Sequence, residues 1–166
     1  PIDQFYLSWL ARRQGSSAKF VELAGEVNAY MPEYVVARVG QVLSASGISL
    51  KGSNVAVLGV ACKKDVDDPR ESPAFRIMEL LMEKGVRLSY HDPYIPSLPS
   101  MRLYQVPHLA CSELTGEYLS SQDCVIIVTD HSSYDWQFIV DHARRVVDTR
   151  NATRDVTDGR ERITRA

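Results

Sequence analysis

The feature that most narrows the fold of this chain is an alternation between short valine-rich runs and stretches of helical periodicity. Residues 54–61 read NVAVLGVA, 124–129 read CVIIVT and 145–149 read RVVDT, with a further strand-like run at 86–90. Uninterrupted apolar runs of this kind suit strands covered on both faces, because a half-exposed strand alternates apolar with polar. Between the first two runs, Ser72-Pro73 offers a cap and a proline at the first helical position. Phe75, Ile77, Met78, Leu81 and Met82 form the apolar face of that helix, and Gly85 stops it. Residues 115–120 and 135–142 read as two more helices. Strands that alternate with helices require crossovers of one hand, so the expectation is an α/β architecture with a doubly wound parallel sheet.

The first 48 residues follow a different grammar. A short helix over 5–13 is stopped by Gln14-Gly15, and Ser16 or Ser17 can cap a second one. Phe20, Leu23, Ala24, Val27, Met31, Tyr34, Val35, Val39, Val42 and Leu43 recur along it at three- and four-residue steps as far as Gly47. Pro32 interrupts the stripe and is expected to kink it. A stripe this long serves either packing on the following domain or a dimer interface or connector. At the other end, the proline-rich residues 94–107 read as a loop with a short edge strand at 102–106. The arginine-rich residues from 150 onward show no apolar pattern, so 155–166 is expected to be a solvated tail.

Composition excludes several classes. The chain has 166 residues, enough for one domain with its own core or a domain plus an appendage. Nineteen Lys and Arg against 21 Asp and Glu leave a net charge of −2, which gives no electrostatic case for nucleic acid or an anionic membrane. No apolar run approaches the roughly 20 residues of a spanning helix. Cys62, Cys111 and Cys124 form no CxxC pair, and the four histidines have no ligand spacing. No disulfide framework or metal site is therefore expected, and a reducing, cytoplasmic setting fits.

Ligands of open parallel sheets bind beyond the carboxyl ends of the strands. Four loops lie there: 62–72, 91–95, 130–133 and 149–154. The first, CKKDVDDPRES, is the most charged. It lacks the G-x-G-x-x-G turn that lets backbone amides approach a pyrophosphate, since only Gly59 is present. Its lysines and Arg70 could hold phosphates, or the loop could be a charged surface with internal ion pairs. Asp92 sits where a ribose-binding acid would, or is a turn residue before Pro93. No nucleophile elbow occurs, and adjacent Asp67 and Asp68 suggest repulsion relieved by Lys63, Lys64 or Arg70 rather than an acid/base pair.

The segments PIDQFYLSW, FVELAGEVNAYMPEYVV, VLGVACKKDVDDPRESPA, YHDPYIP, IVTDHSSYDW and VVDTRNATR carry a specific resemblance. Over residues 1–154 the chain resembles the nucleotide-sugar 6-dehydrogenase family, on the branch oxidising UDP-N-acetylglucosamine or UDP-N-acetylmannosamine. The resemblance implies central dimerisation helices (1–48), then a Rossmann-like, UDP-sugar-binding domain (49–154). The family's NAD domain lies further N-terminal. It also implies oxidation of the sugar C6 alcohol to a carboxylate by two NAD+ in succession, through a cysteine thiohemiacetal and thioester. The family's nucleophile precedes a proline matching Pro1, so this chain is expected to begin just after it and to be inactive alone.

By motif position, Asp3 matches the acid that positions water, although in isolation it would look like a helix cap. Cys62 and Lys63 match the pair that contacts the UDP-sugar, and Arg150 matches a strand-end arginine that contacts the substrate. Arg70 matches the arginine reaching NAD. Two positions depart from the family: Gln4 replaces a proline, and Cys62 replaces an aromatic residue that packs near the uridine. UDP-glucose 6-dehydrogenase and a non-catalytic nucleotide-binding or dimerisation module are the alternatives.

Overall fold

A computed structural model of the chain describes residues 2–99 and 103–166, with the side chains of residues 2–5 left out. The Asp3 carboxylate and the first residue of the expected 102–106 strand thus lie outside the described residues. Helices α1 (Ile2–Arg13) and α2 (Lys19–Ser44) lead the chain. The predicted serine caps are not used, for Ala18 holds the N-cap position of α2 without a side-chain bond. The helix remains continuous through Pro32. It closes short of Gly47, where Ile48 donates its N–H to the Leu43 carbonyl and Gly47 takes φ 72°.

Five parallel strands follow: β1 (Asn54–Leu58), β2 (Arg87–His91), β3 (Cys124–Ile127), β4 (Val146–Asp148) and β5 (Ile163–Arg165). Their order across the sheet is β2-β1-β3-β4-β5, with Val55 facing both Leu88 and Cys124 across the ladders. Helix α3 (Pro73–Glu83) connects β1 to β2, α4 (Gly116–Ser121) precedes β3, and α5 (Trp136–His142) connects β3 to β4. Ser72, Thr115 and Asp135 cap these helices through side-chain oxygens that accept from Ala74, Tyr118 and Phe138 N–H. The chain order reverses between β1 and β3, the switch point of a doubly wound sheet.

Both faces of the sheet are covered, as the valine-rich runs require. Val55 and Val57 of β1 join Ile126 of β3 against α3 and the C-terminal half of α2. Ala56 and Leu58 join Val125 and Ile127 against α4 and α5. Each fully buried Leu or Ile on these faces contributes about 2 kcal/mol. The long apolar stripe of α2 serves two purposes along its length. Val35, Val36, Val39 and Leu43 are buried on the domain, whereas Phe20, Leu23, Val27 and Tyr30 are exposed, Phe20 at 88%. Tyr6, Leu7, Trp9 and Leu10 of α1 are exposed as well.

Two expectations are corrected here. The described residues of the 102–106 segment form no strand, because the prolines around them withhold donors that a ladder needs. The loop is fastened instead by an isolated bridge from Ser97 to Ala110 and by buried Ile95 and Leu98. Nor are residues 155–166 a solvated tail: Val156 is buried, and β5 pairs with β4 in register Val146–Ile163. Among the arginines that suggest solvation, Arg162 is an anchor: its Nη1 donates to the carbonyls of Val140 and Asp141 at the end of α5. Among the described residues no helix is long and apolar enough to cross a membrane.

Candidate functional site

The switch point places the carboxyl ends of β1 and β3 side by side. Gly59, immediately after β1, has φ +78°, and a Cβ there would stand 2.6 Å from Thr129 Cβ. Only glycine permits this approach. Past it, the Val60 and Ala61 N–H groups donate to Asp92 Oδ2 at 2.7 and 3.0 Å. Tyr94 N–H donates to Oδ1 at 2.8 Å. Asp92, which follows β2, is therefore a buried acceptor that ties the end of β1 to the end of β2.

His131, in the loop after β3, completes this arrangement from below. It has no solvent exposure. Its Nδ1 accepts the Asp65 backbone N–H at 3.0 Å, so that nitrogen carries no proton and the hydrogen resides on Nε2. Nε2–H donates to Asp92 Oδ2 at 3.1 Å. Burial works against the Asp92 carboxylate, but the His131 bond and the backbone N–H groups outweigh it and hold its pKa below the ordinary value. Asp65, at φ 59°, also accepts from Ser132 N–H and Ser132 Oγ, both at 2.7 Å. Those two bonds lower the Asp65 pKa.

The predicted ligand contacts lie on this floor. Cys62 and Lys63 occupy the short span between Ala61 and Asp65; Cys62 is half-buried and donates its N–H to the Asp68 carbonyl at 2.7 Å, while Lys63 is exposed. Arg150 follows β4 on the far side of β3, and its Nε donates to Asp130 Oδ1 at 3.3 Å. Its backbone N–H donates to buried Asp148, which also accepts from Ala152 N–H, Thr153 N–H and Thr153 Oγ. Cys62, Lys63 and Arg150 thus share the carboxyl edge of the sheet, on the strands flanking β3.

Arg70 is also in the first loop. Its guanidinium forms a two-pronged pair with Asp68, Nε at 2.9 Å and Nη2 at 2.7 Å, and its side chain is 83% exposed. The Arg70 bonds push the Asp68 carboxyl down to about 2. Arg70 is therefore the cation paired directly with Asp68, with Lys63 adding to the favourable field. The dinucleotide cradle itself does not fit the turn between β1 and α3: it has one glycine, and α3 starts at Ser72-Pro73 with the Ala74 N–H already bound to Ser72 Oγ.

Neither Cys124 nor Cys111 is placed as a nucleophile. Burial pushes the Cys124 thiol up to about 12. Burial also raises Cys111, and its neighbour His91 Nδ1 lies 2.8 Å from the Ser112 carbonyl, which requires that nitrogen to carry the proton. It cannot serve as a base for the thiol. Sequence reasoning singles out these loops but misses the roles of Asp65, His131 and Asp148, and it leaves Asp92 open between two readings. Asp65, His131 and Asp92 take their roles from partners in other loops, whereas Asp148 bonds within its own loop, to Arg150, Ala152 and Thr153; the local signal is a polar residue at or just past the end of an apolar strand.

A doubly wound α/β domain with cations at its carboxyl edge defines a class, the nucleotide-binding domains. Within it, the description "UDP-glucose/GDP-mannose dehydrogenase family, UDP binding domain" matches residues 56–155, and the chain belongs to this family. It is 30% identical over 130 residues to a UDP-N-acetyl-D-mannosamine dehydrogenase of Methanococcus maripaludis, spanning 76% of this chain and 27% of that protein. It is also 30% identical over 156 residues to a UDP-glucose 6-dehydrogenase of Rickettsia bellii, spanning 91% of this chain and 35% of that protein. The solved UDP-N-acetyl-mannosamine dehydrogenase Cap5O from S. aureus superposes with a TM-score of 0.67 at 27% identity, over 89% of this chain and 34% of that one. The chain spans between about a quarter and a third of the length of these relatives.

Proposed function

We propose that this chain is the C-terminal, UDP-sugar-binding and dimerising part of an NAD-dependent UDP-N-acetylhexosamine 6-dehydrogenase. The reading divides it into helices (1–48) and a binding domain (49–154) whose sheet is extended by β5. The supporting observation is the position of Cys62, Lys63 and Arg150 on one edge of the sheet, on the strands flanking β3. They lie within the matched residues 56–155. The Lys63 ammonium supplies a counter-charge for a diphosphate, and the Arg150 guanidinium supplies a planar fork. Cys62 offers a smaller surface to the uridine than an aromatic ring would.

NAD, when bound by a domain outside this chain, would accept hydride from the sugar C6; from this chain Arg70 would reach it. The Asp3 carboxylate would position water. The bare faces of α1 and α2 suit a second copy of the chain, since a continuous apolar patch on a soluble protein marks an interaction surface. A cytoplasmic setting follows from the reaction's sugar nucleotide and NAD. A UDP-glucose 6-dehydrogenase is the second reading, favoured by the longer span shared with the Rickettsia bellii protein.

Calorimetric titration with UDP tests the site. Saturable binding is expected, weakened about tenfold in Lys63→Ala, the loss of one charged phosphate contact. Equal binding by parent and variant removes the Lys63 assignment. Comparing UDP-N-acetylglucosamine, UDP-N-acetylmannosamine and UDP-glucose in the same cell ranks the two readings. No NAD reduction is expected from this chain alone with any of them, and turnover would overturn that expectation.

A further inference from the structure

We propose that His131 is a positioning residue for ligand binding, holding the Cys62–Lys63 span in its binding shape through the Asp65 backbone N–H. This rests on the reading of Cys62 and Lys63 as UDP contacts.

The span is pinned at both ends by one buried pair. Upstream, Asp92 Oδ2 receives the Val60 and Ala61 N–H groups. Downstream, His131 Nδ1 receives the Asp65 N–H. The two pins are joined by the His131 Nε2 bond to Asp92 Oδ2 at 3.1 Å, with both side chains fully buried. Cys62, Lys63 and Lys64 are all that lies between the anchored residues. Asp65 is fastened a second time by Ser132 and is approached by the Tyr94 hydroxyl at 3.5 Å. The imidazole packs against the Tyr94 and Tyr134 rings, at centroid distances of 4.9 and 5.7 Å, contacts that restrict its orientation.

A left-handed residue such as Asp65, at φ 59°, costs energy in isolation and persists where its surroundings hold it. Here the holding groups are His131 and Ser132. An exposed lysine on a short span carries a defined phosphate contact only while both ends of the span are fixed. A ligand that binds one loop shape pays for any population lost to others, so its apparent affinity falls with the fraction of competent loop.

The two halves of the imidazole can be separated by substitution. His131→Asn keeps an acceptor near the Nδ1 position, facing the Asp65 N–H, and gives up the donor to Asp92. His131→Gln keeps a donor near Nε2 and gives up the acceptor. Both variants lose a buried hydrogen bond and are expected to be destabilised alike. The proposal expects UDP affinity within about threefold of the parent for Asn and at least tenfold weaker for Gln, read by titration calorimetry. Equal affinity in the two variants overturns it.

Amide hydrogen exchange on the parent chain provides a reading independent of both variants and of UDP. The Asp65 amide is expected to exchange far more slowly than its neighbour Lys64; equal rates overturn the proposal even if His131→Gln does not fold. If the parent fails to bind UDP while the Asp65 amide stays protected, the assignment of the ligand fails and the pinning of the loop stands.

Discussion

Gly59 and Thr129 approach so closely that the first has no room for a side chain: a Cβ on Gly59 would sit 2.6 Å from Thr129 Cβ and 2.8 Å from its Cα. The contact seals the ends of β1 and β3 at the switch point, beneath the carboxyl edge of the sheet. Gly59→Ala meets two penalties at once, a left-handed backbone at φ +78° and an overlap with a neighbouring strand. Together these are expected to cost about 3 kcal/mol. Urea denaturation measures it as a lower midpoint at unchanged slope.

Asp92 makes the fold sensitive to acid. Its folded-state pKa lies below the ordinary 3.8, because the His131 and backbone bonds outweigh desolvation. A carboxylate depressed in this way contributes stability that is fully present above the ordinary value. That contribution is lost as pH falls through the lowered one. Unfolding free energy is thus expected to decline as pH drops below about 4. Asp92→Asn must turn an NH2 toward Val60, Ala61 or Tyr94 N–H groups, costing about 3 kcal/mol at pH 7. Its denaturation midpoints should vary less with pH below 4 than those of the parent. An identical acid slope in the two proteins would place the sensitivity elsewhere.

These two residues show how far the sequence alone could be read. Strand and helix identities were legible because burial on both faces leaves a run such as CVIIVT with no polar break, and Ser72-Pro73 marks a helix start by local chemistry. Gly59 was visible only as a missing fingerprint, since its need for empty space comes from Thr129, seventy residues later. The sequence leaves Asp92 between a turn and a ribose contact because neither Val60 nor His131 is its sequence neighbour. The edge strand β5 was misread for a related reason: Arg162 is satisfied by carbonyls at the end of α5, and no local pattern announces that partnership. Among the site residues, Cys62, Lys63 and Arg150 came from family resemblance rather than from periodicity. Lys63 in particular has nothing in its immediate surroundings to distinguish it from a solvated lysine.

The exposed stripe of α2 is expected to bind a second copy of the chain. Phe20, Leu23, Val27 and Tyr30 recur at steps of three and four, so they occupy one face of the helix. The C-terminal half of the same helix is already committed to the domain through Val35, Val39 and Leu43. Sedimentation velocity should show a dimer for the parent and a monomer for Leu23→Asp/Val27→Asp, with domain melting temperature little changed. Both positions are about half exposed, so charge there costs the single chain little while opposing burial across an interface. A parent that sediments as a monomer at all concentrations removes the second copy as the occupant.

Arg150 depends on Asp148 as Lys63 depends on the loop around it. The buried Asp148 carboxylate accepts from the N–H groups of Arg150, Ala152 and Thr153 and from Thr153 Oγ, shaping the turn after β4 in which Asn151 adopts φ 56°. Asp148→Ala leaves several of these donors buried without a partner and is expected to cost about 3 kcal/mol. It should also weaken UDP binding several-fold, because Arg150 loses its orientation. Thr153→Val removes only the hydroxyl bond and should cost about 1 kcal/mol, with a smaller effect on UDP. Arg150→Ala provides the contrast: its side chain is 55% exposed and, among the described residues, paired with Asp130 alone, so stability should hold while UDP affinity falls at least as far as in Asp148→Ala. Paired denaturation and titration on the three variants separate the two roles. If Asp148→Ala destabilises the fold yet binds UDP like the parent, Arg150 does not meet the ligand.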